Sequence, residues 1–189
     1  MSKLKTSIVV TMTAIATVMF AGCAAEPEAK QPSSASSSGT KPTTNGPSCD
    51  PKVGAKAPVL SIDSMNGGGK MAITPGKVTL VDFWATWCGP CQSSFPKYQD
   101  LYSKYKSRGF EIIAVSGDDD KKEIPAFITK YRAKFPVGWD QGHEIASCWK
   151  PATNPTAYLI DKKGVVRHIH AECHEGDEKK LEEQIKSLL

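Results

Sequence analysis

The residues best equipped for chemistry are Cys88 and Cys91, two thiols separated by Gly89 and Pro90 within TWCGPCQSSFP, residues 86–96. Cysteines at i and i+3 where a helix begins can close a small ring with each other, and the Gly-Pro insert keeps that ring tight. Unsatisfied backbone N–H groups and the helix dipole favour an anion at that end, so Cys88 should ionise more readily than a free cysteine, whose pKa is about 8.5. A thiolate attacks a foreign disulfide. Cys91, one turn further in, is then placed to attack the mixed disulfide and release the reduced substrate. The competing use of a CxxC, half of a structural zinc site, wants a second pair at similar spacing. The sequence has no second CxxC.

Such a pair needs a rigid strand behind it and a helix under it. VTLVDFW, residues 78–84, is an apolar run suited to a buried central strand, and Asp82 is the one carboxyl inside it. After the cysteines, Phe95, Tyr98, Leu101, Tyr102 and Tyr105 recur on one helical face until Gly109 stops the pattern. EIIAVSG reads as the next strand. Ile124, Phe127, Ile128 and Tyr131 follow as an amphipathic helix, FPVGWD as an extended segment, and residues 143–150 as a further helical piece. TAYLID and VVRHIHAE flank a Lys162-Lys163-Gly164 turn as a terminal hairpin, and KAPVLSID and KMAIT flank Gly67-Gly68-Gly69 as an opening one. A last helix begins around Asp177, read as its cap, and lays Leu181, Ile185, Leu188 and Leu189 on the sheet.

WCGPC resembles the active site of the thioredoxin superfamily, and the likeness extends to Asp82, six residues before Cys88, and Pro96, eight after it. The resemblance implies an α/β thioredoxin-like fold: a central mixed β-sheet flanked by helices, with an N-terminal β-hairpin and a central strand-plus-helix insertion. The 64 residues from Cys91 to Pro155, together with NPTAYLID and an export signal, look like the membrane-anchored, TlpA-like branch that includes ResA- and CcmG-type reductants. It implies that Asp82 is a buried carboxyl exchanging a proton with Cys91, and that Pro96 kinks the helix. Desolvation of an aspartate in an apolar strand raises its pKa toward the range useful for proton transfer, and an interior proline removes a helical hydrogen bond. Asn154-Pro155-Thr156 stands where the family has a cis-proline packed against the CxxC. Pro155 would then leave the backbone of Asn154 to pair with a substrate strand, beside a platform of Trp87, Gly89 and Pro90. Two departures point away from a specialised cytochrome c role and toward a general reductase. Ser94 stands where haem-maturation members carry Glu, and Asp82 where the branch commonly has Asn.

The ends of the chain set the compartment. Two lysines precede an uncharged, mostly apolar run over residues 7–20 and then Ala21-Gly22-Cys23, too short to span a bilayer, which takes about 20 residues. Residues 1–22 are therefore expected to be a signal peptide of lipoprotein type, with Cys23 as the lipid-attachment residue implied by its likeness to a lipoprotein cleavage box. Ordinary cleavage or an uncleaved anchor is the alternative. Residues 23–50 read as a lipid-anchored, disordered linker rich in Ser, Pro and Gly, and residues 51–189 as the thioredoxin-like domain. A coil of this length has a dimension of roughly 25 to 30 Å.

With 24 basic and 20 acidic residues the charge is +4, and +2 once Lys3 and Lys5 leave with the signal. No nucleic-acid partner follows from that. Cys49, Cys148 and Cys173 form an odd set, in which one disulfide and one free thiol is the simplest arrangement, the pair left open. His168 and His170 fall on one side of a strand close to Cys173, and copper or zinc could bind such a cluster. The leading expectation is an extracytoplasmic, monomeric thiol-disulfide oxidoreductase acting on disulfide-containing proteins, without metal or other cofactor, and re-reduced by an electron donor in the membrane. The rivals are a metal chaperone using the cysteines with His168 and His170, and an isomerase or oxidant of the same fold.

Overall fold

The computed structural model describes residues 49–189 apart from 173 and 175. The expected signal peptide, Cys23, nearly all of the linker, and Cys173 lie outside the described residues. Strand β3 (Val78–Trp84) is buried at every position, as its predominantly apolar run dictates. It pairs in parallel with β4 (Phe110–Ser116) and antiparallel with β6 (Thr156–Ile160). β5 (Val137–Trp139) adds in parallel to β4, and β7 (Val166–Ala171) antiparallel to β6, giving the order β5-β4-β3-β6-β7. The mixed five-stranded sheet is the one the resemblance implied.

Alternation along β3 sends Val78, Leu80 and Trp84 into one core and Val81 and Phe83 into the other. The first core lies under α1 (Gly89–Tyr105), α2 (Ile124–Lys130) and α4 (Asp177–Leu188). Its centre is aromatic: the rings of Phe95 and Phe127 each lie 4.5 Å from that of Trp84. A fully buried Phe in such a cluster contributes about 3–5 kcal/mol. The second core is closed by α3 (Glu144–Trp149), through Trp149, and by a small antiparallel sheet of β1 (Ser61–Asp63) and β2 (Lys70–Ala72). That hairpin is shorter than its apolar sequence suggests, and it docks on β5 where Gly138 has no side chain. A Cβ on Gly138 would stand 2.7 Å from Cδ1 of Ile62.

The helix boundaries follow local chemistry. Pro90 lies in the first turn of α1, where its missing N–H costs nothing, and Gly109 at φ 94° ends the short 3-10 turn, Lys106–Arg108, that follows. Pro96 is accommodated inside α1. Asp177 is not the cap of the last helix. Gly176 holds that place in a left-handed conformation, and the Asp177 carboxylate in the first turn accepts the N–H of His174 instead. Leu181 and Ile185 are buried as expected, and Leu188 and Leu189 half-buried. Cys49 and Cys148 form a disulfide, resolving the pair the sequence left open and fastening the start of the domain to α3. Among the described residues no helix is long and apolar enough to cross a membrane.

Candidate active site

Strand β3 ends at Trp84, and the short loop that follows delivers Cys88 to the N-terminus of α1 as its cap residue. Cys88 and Cys91 are joined as a disulfide, with Cα atoms 5.3 Å apart. The N–H of Cys91 points at Sγ of Cys88 across 3.2 Å, and no acidic residue stands in the first turn. A thiolate released at Cys88 therefore meets a backbone donor and the positive end of a 17-residue helix. Cys91 is fully buried, whereas Cys88 retains 4% of its surface and neighbours Trp87, which is 71% exposed. The outer sulfur is thus the one a protein substrate can reach, and the indole beside it is free for contact.

The sequence reading missed what holds this loop. Asp118, just past the end of β4, accepts the Thr86 N–H at 3.1 Å and the Thr86 hydroxyl at 2.6 Å, and takes a third donor from Ser116 at 2.7 Å. From the helix side, the Gln92 amide donates to the Thr86 carbonyl at 3.3 Å, and Tyr131 donates to Gln92 in turn. Within the acidic triplet DDD at residues 118–120 nothing singles out the first member. Its separation from Thr86 is closed only by the β3-β4 pairing.

Asp82 is fully buried, and neither carboxylate oxygen has a hydrogen-bond partner. Strand alternation places it on the same face as Leu80 and Trp84, toward the helix that carries Cys91. Burial pushes its pKa well above the usual aspartate range, and the Tyr98 hydroxyl opposes this without a fully formed hydrogen bond. Ser94 is also fully buried, its hydroxyl donating to the Cys91 carbonyl at 3.0 Å.

The second chain segment at the site is the turn before β6. The Asn154-Pro155 peptide bond is cis, and the Asn154 carbonyl oxygen lies 3.3 Å from Sγ of Cys88. Thr156 braces the turn by donating to the Thr153 carbonyl at 2.6 Å. The Pro155 carbonyl is already taken by the N–H of Glu172. Cys88, Cys91, Trp87, Gly89, Pro90, Asn154 and Pro155 thus meet at one end of the sheet, with Asp82 beneath.

His168 and His170 do share one side of β7, with ring centroids 6.4 Å apart. His170 is engaged with Gln184 at 2.8 Å, and His168 is held below its ordinary pKa by burial, then by the charges of His170, Lys180 and Arg167. Among the described residues no group of three or more His, Cys, Asp and Glu side chains is placed to hold a metal ion.

Known proteins resemble this chain in sequence and in fold. Thiol-disulfide oxidoreductase ResA of Bacillus thuringiensis subsp. konkukian is 35% identical over 139 residues, covering 72% of this chain and 79% of its own length. A ResA from Oceanobacillus iheyensis is 42% identical over 94 residues, half of this chain and 49% of its own length. Among solved structures, a Chlorobium tepidum chain assigned as thiol:disulfide interchange protein DsbE superposes with a TM-score of 0.69 at 32% identity, over 74% of this chain and 99% of that one. A Bacteroides thetaiotaomicron chain assigned as a protein disulfide isomerase gives 0.67 at 26% identity, over 74% and 91%. Residues 53–169 match the AhpC/TSA family, and the chain belongs to that family of thioredoxin-like proteins.

Proposed function

We propose that this thiol-disulfide oxidoreductase works as an extracytoplasmic reductant of protein disulfides. One observation carries the reading: Sγ of Cys88 caps a long helix while facing the Asn154 carbonyl of a cis-proline turn. A nucleophilic sulfur and a strip of backbone able to pair with an extended peptide therefore adjoin each other. In the reduced enzyme the Cys88 thiolate attacks a substrate cystine, forming a mixed disulfide and expelling one substrate sulfur as a thiolate. Cys91 gives its proton to the Asp82 carboxylate and attacks Sγ of Cys88. The intermolecular bond breaks, its electron pair leaves on the second substrate sulfur, and Cys88–Cys91 closes. Two electrons have moved to the substrate, and a donor must return them.

The reducing direction rests on the Gly89-Pro90 insert, which resembles thioredoxin, a low-potential protein, more than the strong oxidants of the superfamily. The signal peptide, the lipid on Cys23 and a donor in the membrane complete the reading, supported by the apolar leader and the Ala-Gly-Cys box. The test is reduction of insulin disulfides with dithiothreitol as the source of electrons: the purified protein accelerates it, and Cys88→Ser abolishes the acceleration. Turnover unchanged in Cys88→Ser refutes the mechanism. A measured Cys88/Cys91 potential near that of thioredoxin, about −270 mV, supports the reductant, and one near about −120 mV an oxidant.

A further inference from the structure

On the face of the sheet away from α1, at the same end as the cysteines, lies a pocket of about 260 Å³. Phe83 and Val115, partners in the β3–β4 register and both members of the second core, line it together with Ala146 of α3 and Pro151. Two small residues leave it unfilled: Ala146, and Gly117 just beyond the end of β4. Beyond the chain neighbours of Gly117, a Cβ placed there would come no closer than 3.8 Å to any atom, and that atom is Nδ1 of His143, which also lines the space. The one carboxylate in the lining, Asp140, is 4% exposed and already held by the N–H groups of Ile145 and Ala146 at 3.1 and 2.8 Å. The pocket is thus largely apolar, with its buried charge satisfied. At 260 Å³ it falls below the range of small-molecule sites, about 300–1,000 Å³, and suits one large side chain. Asn154 connects it to the chemistry. This residue lines the pocket, and its carbonyl oxygen lies 3.3 Å from Sγ of Cys88. Among the described residues the Asn154 N–H has no hydrogen-bond partner, so its backbone is left for an incoming strand. A strand advances about 3.3 Å per residue, and a cystine engaged at Cys88 therefore brings its nearest sequence neighbours to the pocket.

We propose that this pocket is a specificity site, receiving an apolar side chain of the substrate that stands one or two residues from the cysteine attacked by Cys88. This rests on the reading that the substrate backbone pairs at Asn154. An aliphatic or aromatic side chain buried there loses contact with water and leaves no polar group unpaired. An acidic one meets the charge of Asp140 and that of Asp119, whose carboxylate lies 3.4 Å from Nε2 of His143. The exchange at Cys88 and Cys91 is itself unaltered. The pocket acts beside it, holding the substrate strand in register while the mixed disulfide forms, so the selectivity appears in the rate of that step.

The experiment uses symmetrical peptide disulfides. Each peptide is a run of glycines with one cysteine and one variable residue, leucine, alanine or glutamate, placed one or two positions before or after that cysteine. The reduced protein is mixed with each, and release of the peptide thiol is timed in a single turnover for the wild type, Gly117→Val and Ala146→Leu. In at least one placement the wild type reacts about tenfold faster with leucine than with alanine, the selectivity a few methylenes confer in an apolar pocket, and slowest with glutamate. Both substitutions put carbon into the pocket, and with either the leucine-to-alanine ratio falls toward one. A wild-type ratio near one in every placement overturns the proposal, as does a ratio that survives both substitutions or a preference for glutamate. The readout is a ratio, so it decides the case even where a substitution slows every peptide, and Ala146→Leu decides it if Gly117→Val does not fold. Equal rates with all peptides remove the pocket and leave the reductase reading standing. Should the wild type release no thiol from any peptide or from insulin, that reading fails and the proposal with it.

Discussion

Asp118 grips Thr86 by both its backbone N–H and its hydroxyl, at 3.1 and 2.6 Å, and so fixes the loop two residues before Cys88. The carboxylate is 5% exposed, while the loop it holds ends in a largely exposed Trp87. Rigidity at Cys88 therefore comes from the neighbouring strand's end as well as from the helix. Replacing Asp118 by Ala leaves two donors of Thr86 and one of Ser116 unpaired, at a cost of about 2–3 kcal/mol. Urea unfolding should show that loss. The rate constant of the reduced protein with insulin should fall about tenfold, because the sulfur is no longer held in place.

Asp82 makes stability depend on pH with a definite sign. Its pKa in the folded protein is raised by burial, so between the ordinary aspartate range and that raised value the folded chain holds a proton the unfolded chain has lost. Stability must fall as pH rises through this window. Asp82→Asn removes the slope, and above the window the variant should be the more stable protein by about 1.4 kcal/mol for each unit of the shift. Denaturant midpoints measured from pH 4 to pH 9 check both statements. A wild-type midpoint that rises with pH across the window would contradict the burial argument.

The Cys49–Cys148 disulfide closes a loop with a sequence separation of 99. Chain entropy assigns a cross-link of that span about 4–5 kcal/mol. The double variant Cys49→Ser, Cys148→Ser should unfold at much lower temperature and still reduce insulin below that transition, since the Cys88–Cys91 pair is separate. Calorimetry and the insulin assay distinguish this from a catalytic role, in which activity would vanish while the fold survived.

Trp87 is 71% exposed beside a nearly buried sulfur, a poor arrangement for stability and a good one for contact. Trp87→Ala should leave the unfolding free energy within about 0.5 kcal/mol of the wild type. Its effect should appear in KM for protein disulfides, raised several-fold, with little change for a small disulfide. Equal losses on both substrates would place its role in the chemistry instead.

How far the sequence reached can be followed along β3 and α1. Six apolar or β-favouring residues and one aspartate in seven consecutive positions dictated a strand buried on both faces, because no other environment suits them. The spacing of Phe95, Tyr98, Leu101 and Tyr105 dictated which side of the next helix meets it. Cys88, Cys91 and Gly-Pro between them carried the chemistry in four adjacent letters. Local periodicity and covalent reach were enough for these, and the burial of Asp82 followed from its strand. Tertiary structure alone decided the partners that distance in sequence conceals: Cys148 rather than Cys173 for Cys49, Asp118 rather than its acidic neighbours for Thr86, Gly176 rather than Asp177 as the last cap. Each depends on where separate elements come to rest, and a side chain's neighbours across a sheet are fixed by strand register, which is a property of the folded whole.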